Sequence, residues 1–198
     1  VLEHARTKPE RSLGVIAFSQ KQQDRILDEL EVLRRQSKDT EPFFADDRQD
    51  PFFVKNLENV QGDERDVILL SVGYGPDDTG KVPMRFGPLN RTGGERRLNV
   101  AVTRARWGMC VVSSMTASDI DLSRTNAEGA KMLKAFLDYA DRGPVALAAA
   151  VTEANQRGAD SPFEQEVGDE LARRGLTIHR QVGCGGYLID MAIADPQQ

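Results

Sequence analysis

The stretch Glu58–Val82, ENVQGDERDVILLSVGYGPDDTGKV, holds an apolar run at Val67–Val72 between two polar segments that invite different readings. Six consecutive apolar or small residues are the mark of a strand covered on both faces, as in a parallel sheet. Directly after the strand, Gly75 to Lys81 has the G-x-x-x-x-G-K spacing of a phosphate-binding loop. Such a loop needs backbone amides aimed at phosphate, a Ser or Thr after the lysine for magnesium, and a helix whose positive end faces the anion. Val82 cannot ligate a metal, and Asp77 and Asp78 would put two carboxylates inside the anion cradle. Pro83 and the glycine- and proline-rich residues that follow deny the loop its helix. The match is coincidental, and interest passes to Gln61-Gly62-Asp63-Glu64 upstream.

Working outward, Leu13–Phe18 (LGVIAF) and Gly108–Ser113 (GMCVVS) are further apolar runs expected to be buried strands, with Phe52–Lys55 a short extended one. Gln20–Arg35, Glu95–Arg106 and Ala127–Tyr139 place apolar residues at helical spacing. Residues 73–94 read as a long loop. Strands alternating with helices predict an α/β domain built on a largely parallel sheet flanked by helices. The character changes after Asp141. Residues 143–160 read as a linker, and Ser161-Pro162-Phe163-Glu164 opens a new helix ended by Gly175. Two strands follow, around Gly183-Cys184-Gly185-Gly186. The expected organisation is a first domain at 1–142, the linker, and a partial α+β domain at 161–198.

The chain has 198 residues, 39% of them hydrophobic and 29% charged, with a net charge of −5. That composition suits a globular protein, and no apolar run approaches the ~20 residues that span a bilayer. No membrane partner and a cytoplasmic location are expected. Two cysteines far apart and two histidines argue against a zinc site. The acidic balance excludes a uniformly basic nucleic-acid glove but leaves room for a local groove.

Three segments stand out together: GVIAFSQKQQ at Gly14–Gln23, VQGDERD at Val60–Asp66, and RRLNVAVTRAR at Arg96–Arg106. In this order they resemble motifs IV, V and VI of superfamily 1 helicases, specifically the second RecA-like domain of the Upf1-like branch, over about residues 12–140. The resemblance implies that Arg104 is an arginine finger for ATP hydrolysis. It implies that Gly62 and Glu64 meet the nucleotide, Glu64 at the ribose, and that Gln22, the motif IV glutamine, binds the nucleotide as well. Arg106, two positions on, would order the motif around the nucleotide. Where the family often has arginine, this chain has Gln23, with Arg25 a possible substitute. The phosphate-binding loop and the magnesium-binding Asp-Glu pair of the first RecA-like domain are not found in this sequence. ATP and Mg2+ are therefore expected cofactors completed by other segments. The expected partners are the first RecA-like domain of a parent protein and nucleic acid, DNA before RNA. The rival reading is a non-catalytic α/β module that binds nucleic acid or protein, to which Gln23 lends support.

Ser161–Glu164, Gln181–Tyr187 and Ile189–Ile193 resemble the start of a very-short-patch-repair-like endonuclease domain of the PD-(D/E)xK fold. The resemblance implies that Asp190 is a catalytic carboxylate and magnesium ligand. Glu164 matches the family's helix glutamate and equally suits a capping box.

Overall fold

The structure is a computed structural model that describes residues 1–146, 162–184 and 187–193; for residues 162, 163, 180–184 and 187–190 it describes the backbone alone. The chain divides into two compact units, Val1–Ala130 and Lys131–Gln198. The division falls within a helix at Glu128–Arg142, called α4 below.

In the first unit a short helix α1 (Leu2–Thr7) leads to strand β1 (Leu13–Ala17), every residue of which is buried. Ser19 then caps helix α2 (Gln20–Gln36), its side chain accepting from the Gln22 N–H. A 3-10 helix, Lys38–Phe44, brings Phe43 and Phe44 into the core before strand β2 (Phe53–Asn56). Strand β3 (Arg65–Val72), helix α3 (Gly94–Val102) and strand β4 (Ala105–Ser113) follow. The four strands are all parallel, in the order β2-β1-β3-β4, and with their flanking helices form the expected RecA-like α/β arrangement. On one side of the sheet Leu13, Val15 and Val54 pack with Ala5, Leu30, Phe43 and Phe44. The alternate positions Ile16, Ile68 and Leu70 point the other way and are fully buried, as are Phe86, Leu89 and Leu98.

Two sequence expectations need correction. The helix expected over Glu95–Arg106 stops at Val102, with Thr103 as its C-cap. Val100, Val102 and Thr103 are β-branched and stiff in a helix, while Ala105 onward gains a ladder against β3. Arg104 therefore stands in the turn and Arg106 in a strand. The second correction is to β4, which is not an inner strand. It lies at the sheet edge with Trp107 72% exposed and the Arg11 guanidinium stacked on its ring.

Residues 73–94 are mostly loop, as expected, with a 3-10 turn at Gly87–Asn90, and they are packed down along their length. Val82, Met84, Phe86 and Leu89 are buried, and Asn90 ties the segment by accepting from the Phe86 N–H and donating to the Met84 carbonyl. Tyr74 lies between the Phe18 and Phe86 rings, and burial pushes its hydroxyl up to about 12.

The second unit contains helix α5 (Pro162–Arg173), closed at Gly175 (φ 84°), and an antiparallel pair, β5 (Ile178–Cys184) with β6 (Tyr187–Ile193). Ser161, residues 147–160 of the expected linker and the Gly185-Gly186 turn lie outside the described residues.

At the start of the first unit's strands, one polar cluster joins β1, β3 and β4. Asp66 Oδ2 accepts from the backbone N–H and the hydroxyl of Ser12, both at 2.9 Å, and the Ser12 Oγ accepts from the Asp66 N–H. Arg106 donates to Asp66 Oδ1 (3.2 Å), Ser12 Oγ (3.1 Å) and Asp50 Oδ2 (2.5 Å). The Ser12 backbone bond, with its hydroxyl and Arg106, holds the Asp66 carboxyl below its ordinary value. A depressed carboxylate contributes stability that is full above about pH 4 and is lost as pH falls through the folded-state value. Asp66→Asn should lower stability at pH 7 by about 1 kcal/mol in urea unfolding. The wild-type and variant curves should converge on acidification. A gap that persists at low pH would assign the effect to packing instead of charge.

Candidate functional site

The register of β3 against β4 pairs Arg65 with Ala105, the first residues of the two strands. The Arg65 N–H donates to the Arg104 carbonyl at 3.2 Å, so the turn before β3 and the turn before β4 lie side by side. The Arg65 side chain, 7% exposed, fixes the first of these turns. Its guanidinium donates to the Pro51 carbonyl (2.8 and 2.6 Å) and the Glu64 carbonyl (2.5 Å), and sits over the Phe53 ring. Lys55 on β2 pairs with Asp63 at 2.6 Å. Gly62 has φ 89°, a conformation that a Cβ would strain, and open space where a side chain would stand. The turn thus presents bare backbone to its surroundings.

Glu64 and Arg104 face each other across this edge, with 4.0 Å between Glu64 Oε1 and Arg104 Nη1. Glu64 is 53% exposed at its side chain, whereas Arg104 is only 19% exposed. Arg104 folds back on the end of α3, where Nε donates to the Val100 carbonyl (2.8 Å) and Nη2 to the Thr103 hydroxyl (2.9 Å). Carbonyls at a helix C-terminus are a favourable seat for a cation. Gly62, Glu64 and Arg104 therefore meet at one end of the sheet. An open amide turn, an acceptor and a guanidinium there can contact a phosphorylated sugar together.

Gln22 does not join them. Its Oε1 accepts from the Phe18 N–H (3.0 Å) and its Nε2 donates to Ser71 Oγ (2.8 Å), and its side chain packs on Gly73, where a Cβ would not fit. Ser71 and Phe18 lie at the C-terminal ends of β3 and β1, about 20 Å along β3 from Arg65. Gln23 bridges Asn56 Nδ2 and the Val54 carbonyl, and Arg25, well exposed, pairs with Glu29 on its own helix. Arg106 is held by Asp50, Asp66 and Ser12. Glu164 begins α5 and Asp190 lies in β6, both in the second unit; the Asp190 side chain is outside the described residues.

The Gly75–Lys81 loop closes on itself. Asp77 Oδ1 accepts from the Thr79 N–H (2.9 Å), the Thr79 hydroxyl (2.6 Å) and the Lys81 N–H (3.1 Å). These contacts, the Thr79 hydroxyl foremost, hold Asp77 below its ordinary value. Amides that a phosphate would need are already taken by an internal carboxylate, so the loop does not fit a nucleotide. Among the described residues there is no group of three His, Cys, Asp or Glu side chains that could hold a metal.

Sequence reasoning missed Ser12, Asp50, Lys55 and Thr103. The first three act through partners at least eight positions away, which leaves no local pattern. Thr103 was signalled by its place after two valines at the end of a helix.

The profile of the AAA domain family matches residues 2–116, more than half of the chain. Among curated proteins, the uncharacterised ATP-dependent helicase MG140 homolog of Mycoplasma pneumoniae is 36% identical over 140 residues, 67% of this chain and 12% of that protein. The uncharacterised ATP-dependent helicase MG140 of Mycoplasma genitalium is 36% identical over 139 residues, 66% of this chain and 12% of that protein. The chain thus spans 12% of the length of these relatives. No solved structure matches it.

Gln22→Ala leaves the Phe18 N–H and the Ser71 hydroxyl without their partner and should cost about 2 kcal/mol in urea unfolding of this chain. A stability loss near zero would leave the glutamine free for a ligand. Lys81→Ala should leave affinity for a fluorescent ATP analogue unchanged; weakened binding would restore the loop as a nucleotide site.

Proposed function

The chain belongs to the AAA domain family, and on that premise we propose that it is the second RecA-like half of an ATP-dependent helicase motor. The observation that carries the reading is the meeting of Glu64 and Arg104, 4.0 Å apart, beside the open Gly62 turn. The two relatives described as ATP-dependent helicases support it at the level of the whole protein.

In this reading the first RecA-like domain of the parent protein cradles the triphosphate and this edge closes over it. Charge develops on the γ-phosphate oxygens during hydrolysis, and a guanidinium brought from a second body stabilises it only when the two are together. Closure is thereby coupled to chemistry. Arg104 serves as that guanidinium, Glu64 accepts from the ribose, and Gly62 admits the nucleotide close to the backbone. A magnesium ion bound with ATP would neutralise phosphate charge, and in this reading residues of the other domain would hold it. Arg106 contributes indirectly, by holding the bases of β3 and β4 level.

The opposite end of the sheet is assigned to nucleic acid, DNA in the first instance. There the Gln20–Gln23 turn and the start of the 73–94 segment lie at the C-terminal ends of β1 and β3, where α/β sheets commonly bind ligands. Gln22 belongs to this end, where it braces the turn. The second unit is read as the beginning of an endonuclease-like domain, with Asp190 as metal-binding carboxylate and Glu164 on the preceding helix; the order α5-β5-β6 supports it. A location in the cytoplasm accords with this motor role.

In the full-length protein, Arg104→Ala should reduce DNA-stimulated ATP turnover by about 10³-fold or more while ATP affinity changes little. Turnover retained in that variant would remove Arg104 from the chemistry, and with it this reading.

A further inference from the structure

We propose that Thr103 is a positioning residue for Arg104, presetting the guanidinium in the orientation from which it meets the nucleotide; the inference rests on the reading of Arg104 above. Thr103 is the C-cap of α3, with φ −96° and ψ 9°. Its Oγ1 lies 3.0 Å from both the Asn99 and Val100 carbonyls, so its one hydroxyl hydrogen is directed back into the helix end. The oxygen lone pairs then face outward, and one of them receives Arg104 Nη2 at 2.9 Å.

The geometry of the guanidinium follows from this. Nε is fixed on the Val100 carbonyl and Nη2 on Thr103, which pins two corners of a rigid plane. The remaining nitrogen, Nη1, is the one turned to Glu64. A threonine without its hydroxyl would release one corner and let the plane turn about Nε. A long side chain that is ordered before domain closure loses less freedom on closing. The adjacent pair Thr103-Arg104 therefore works as one device, in which the cap of the helix is also the seat of the cation.

The test uses the full-length protein and three variants. Thr103→Val keeps the branched shape and removes the hydroxyl; Thr103→Ser keeps the hydroxyl; Arg104→Ala reports on the underlying reading. Thr103→Val should lower kcat for ATP hydrolysis by about 10- to 100-fold with KM for ATP little changed. Thr103→Ser should restore kcat to near the wild-type value, with the unfolding temperatures of the two variants alike. Thr103→Ala takes the place of the valine if that variant folds poorly. Wild-type kcat in Thr103→Val beside an inactive Arg104→Ala overturns the inference alone. An active Arg104→Ala overturns both it and the reading beneath it. Equal losses in the valine and serine variants, or a loss that follows the fraction of folded protein, would leave Thr103 a helix cap only.

Discussion

The N–H of Arg65 donates to the carbonyl of Arg104, joining the first residue of β3 to the last residue before β4. Parallel strands that start level place the turns preceding them side by side, and here those turns carry Glu64 and Arg104. A slip of one residue would point every β3 side chain to the opposite face and separate the two turns. Two sets of side-chain bonds, one of them buried, oppose such a slip. Arg65 is packed on Phe53 and donates to Pro51, and Asp66 holds Ser12 and Arg106. The polar residues next to the candidate site are thus largely structural. They make the edge rigid so that the few groups left outward hold their geometry.

The two ends of this sheet have different characters. At the N-terminal ends of β3 and β4, arginines and carboxylates are balanced around a turn of bare backbone at Gly62. At the C-terminal ends of β1 and β3, neutral amides and hydroxyls predominate: Gln22 bonded to Ser71, and Gln20 and Gln23 bonded to Asn56. Asn56 is 3% exposed and has its amide nitrogen and oxygen both engaged, which fastens the start of α2 to the end of β2. The glutamine at position 23 is therefore part of an internal network with Asn56 and the Val54 carbonyl.

Much of the fold was legible in periodicity. The runs at Leu13–Phe18 and Val67–Val72 identified β1 and β3, because inner strands of a parallel sheet must be apolar on both faces. The same logic misled at Gly108–Ser113, an apolar run that occupies the edge, since apolar content does not report a strand's place in the order. Residues 73–94 are the loop that their glycines and prolines predict, but their anchoring was not read. Buried Val82, Met84 and Phe86 alternate with exposed Pro83 and Arg85 over too short a run to announce a strand, and Leu89 follows three residues on. Helix α3 was found but its end was not, because helical spacing continues through TRAR while the competing partner, β3, lies some forty residues away in sequence.

The sequence by itself determined the α/β class, the strand-forming and helix-forming segments, and the failure of Gly75–Lys81 as a phosphate loop, whose carboxylates and following proline are local facts. It also marked Gly62, Glu64 and Arg104 as residues of interest. Only the tertiary structure decided that these three share one end of the sheet while Gln22 sits at the other, and that Arg106 faces Asp66 and Asp50. Local chemistry depends on neighbours along the chain and can be read there. Which turns meet depends on strand register and order, which arise from burial summed over the whole sheet and leave no mark in any one segment.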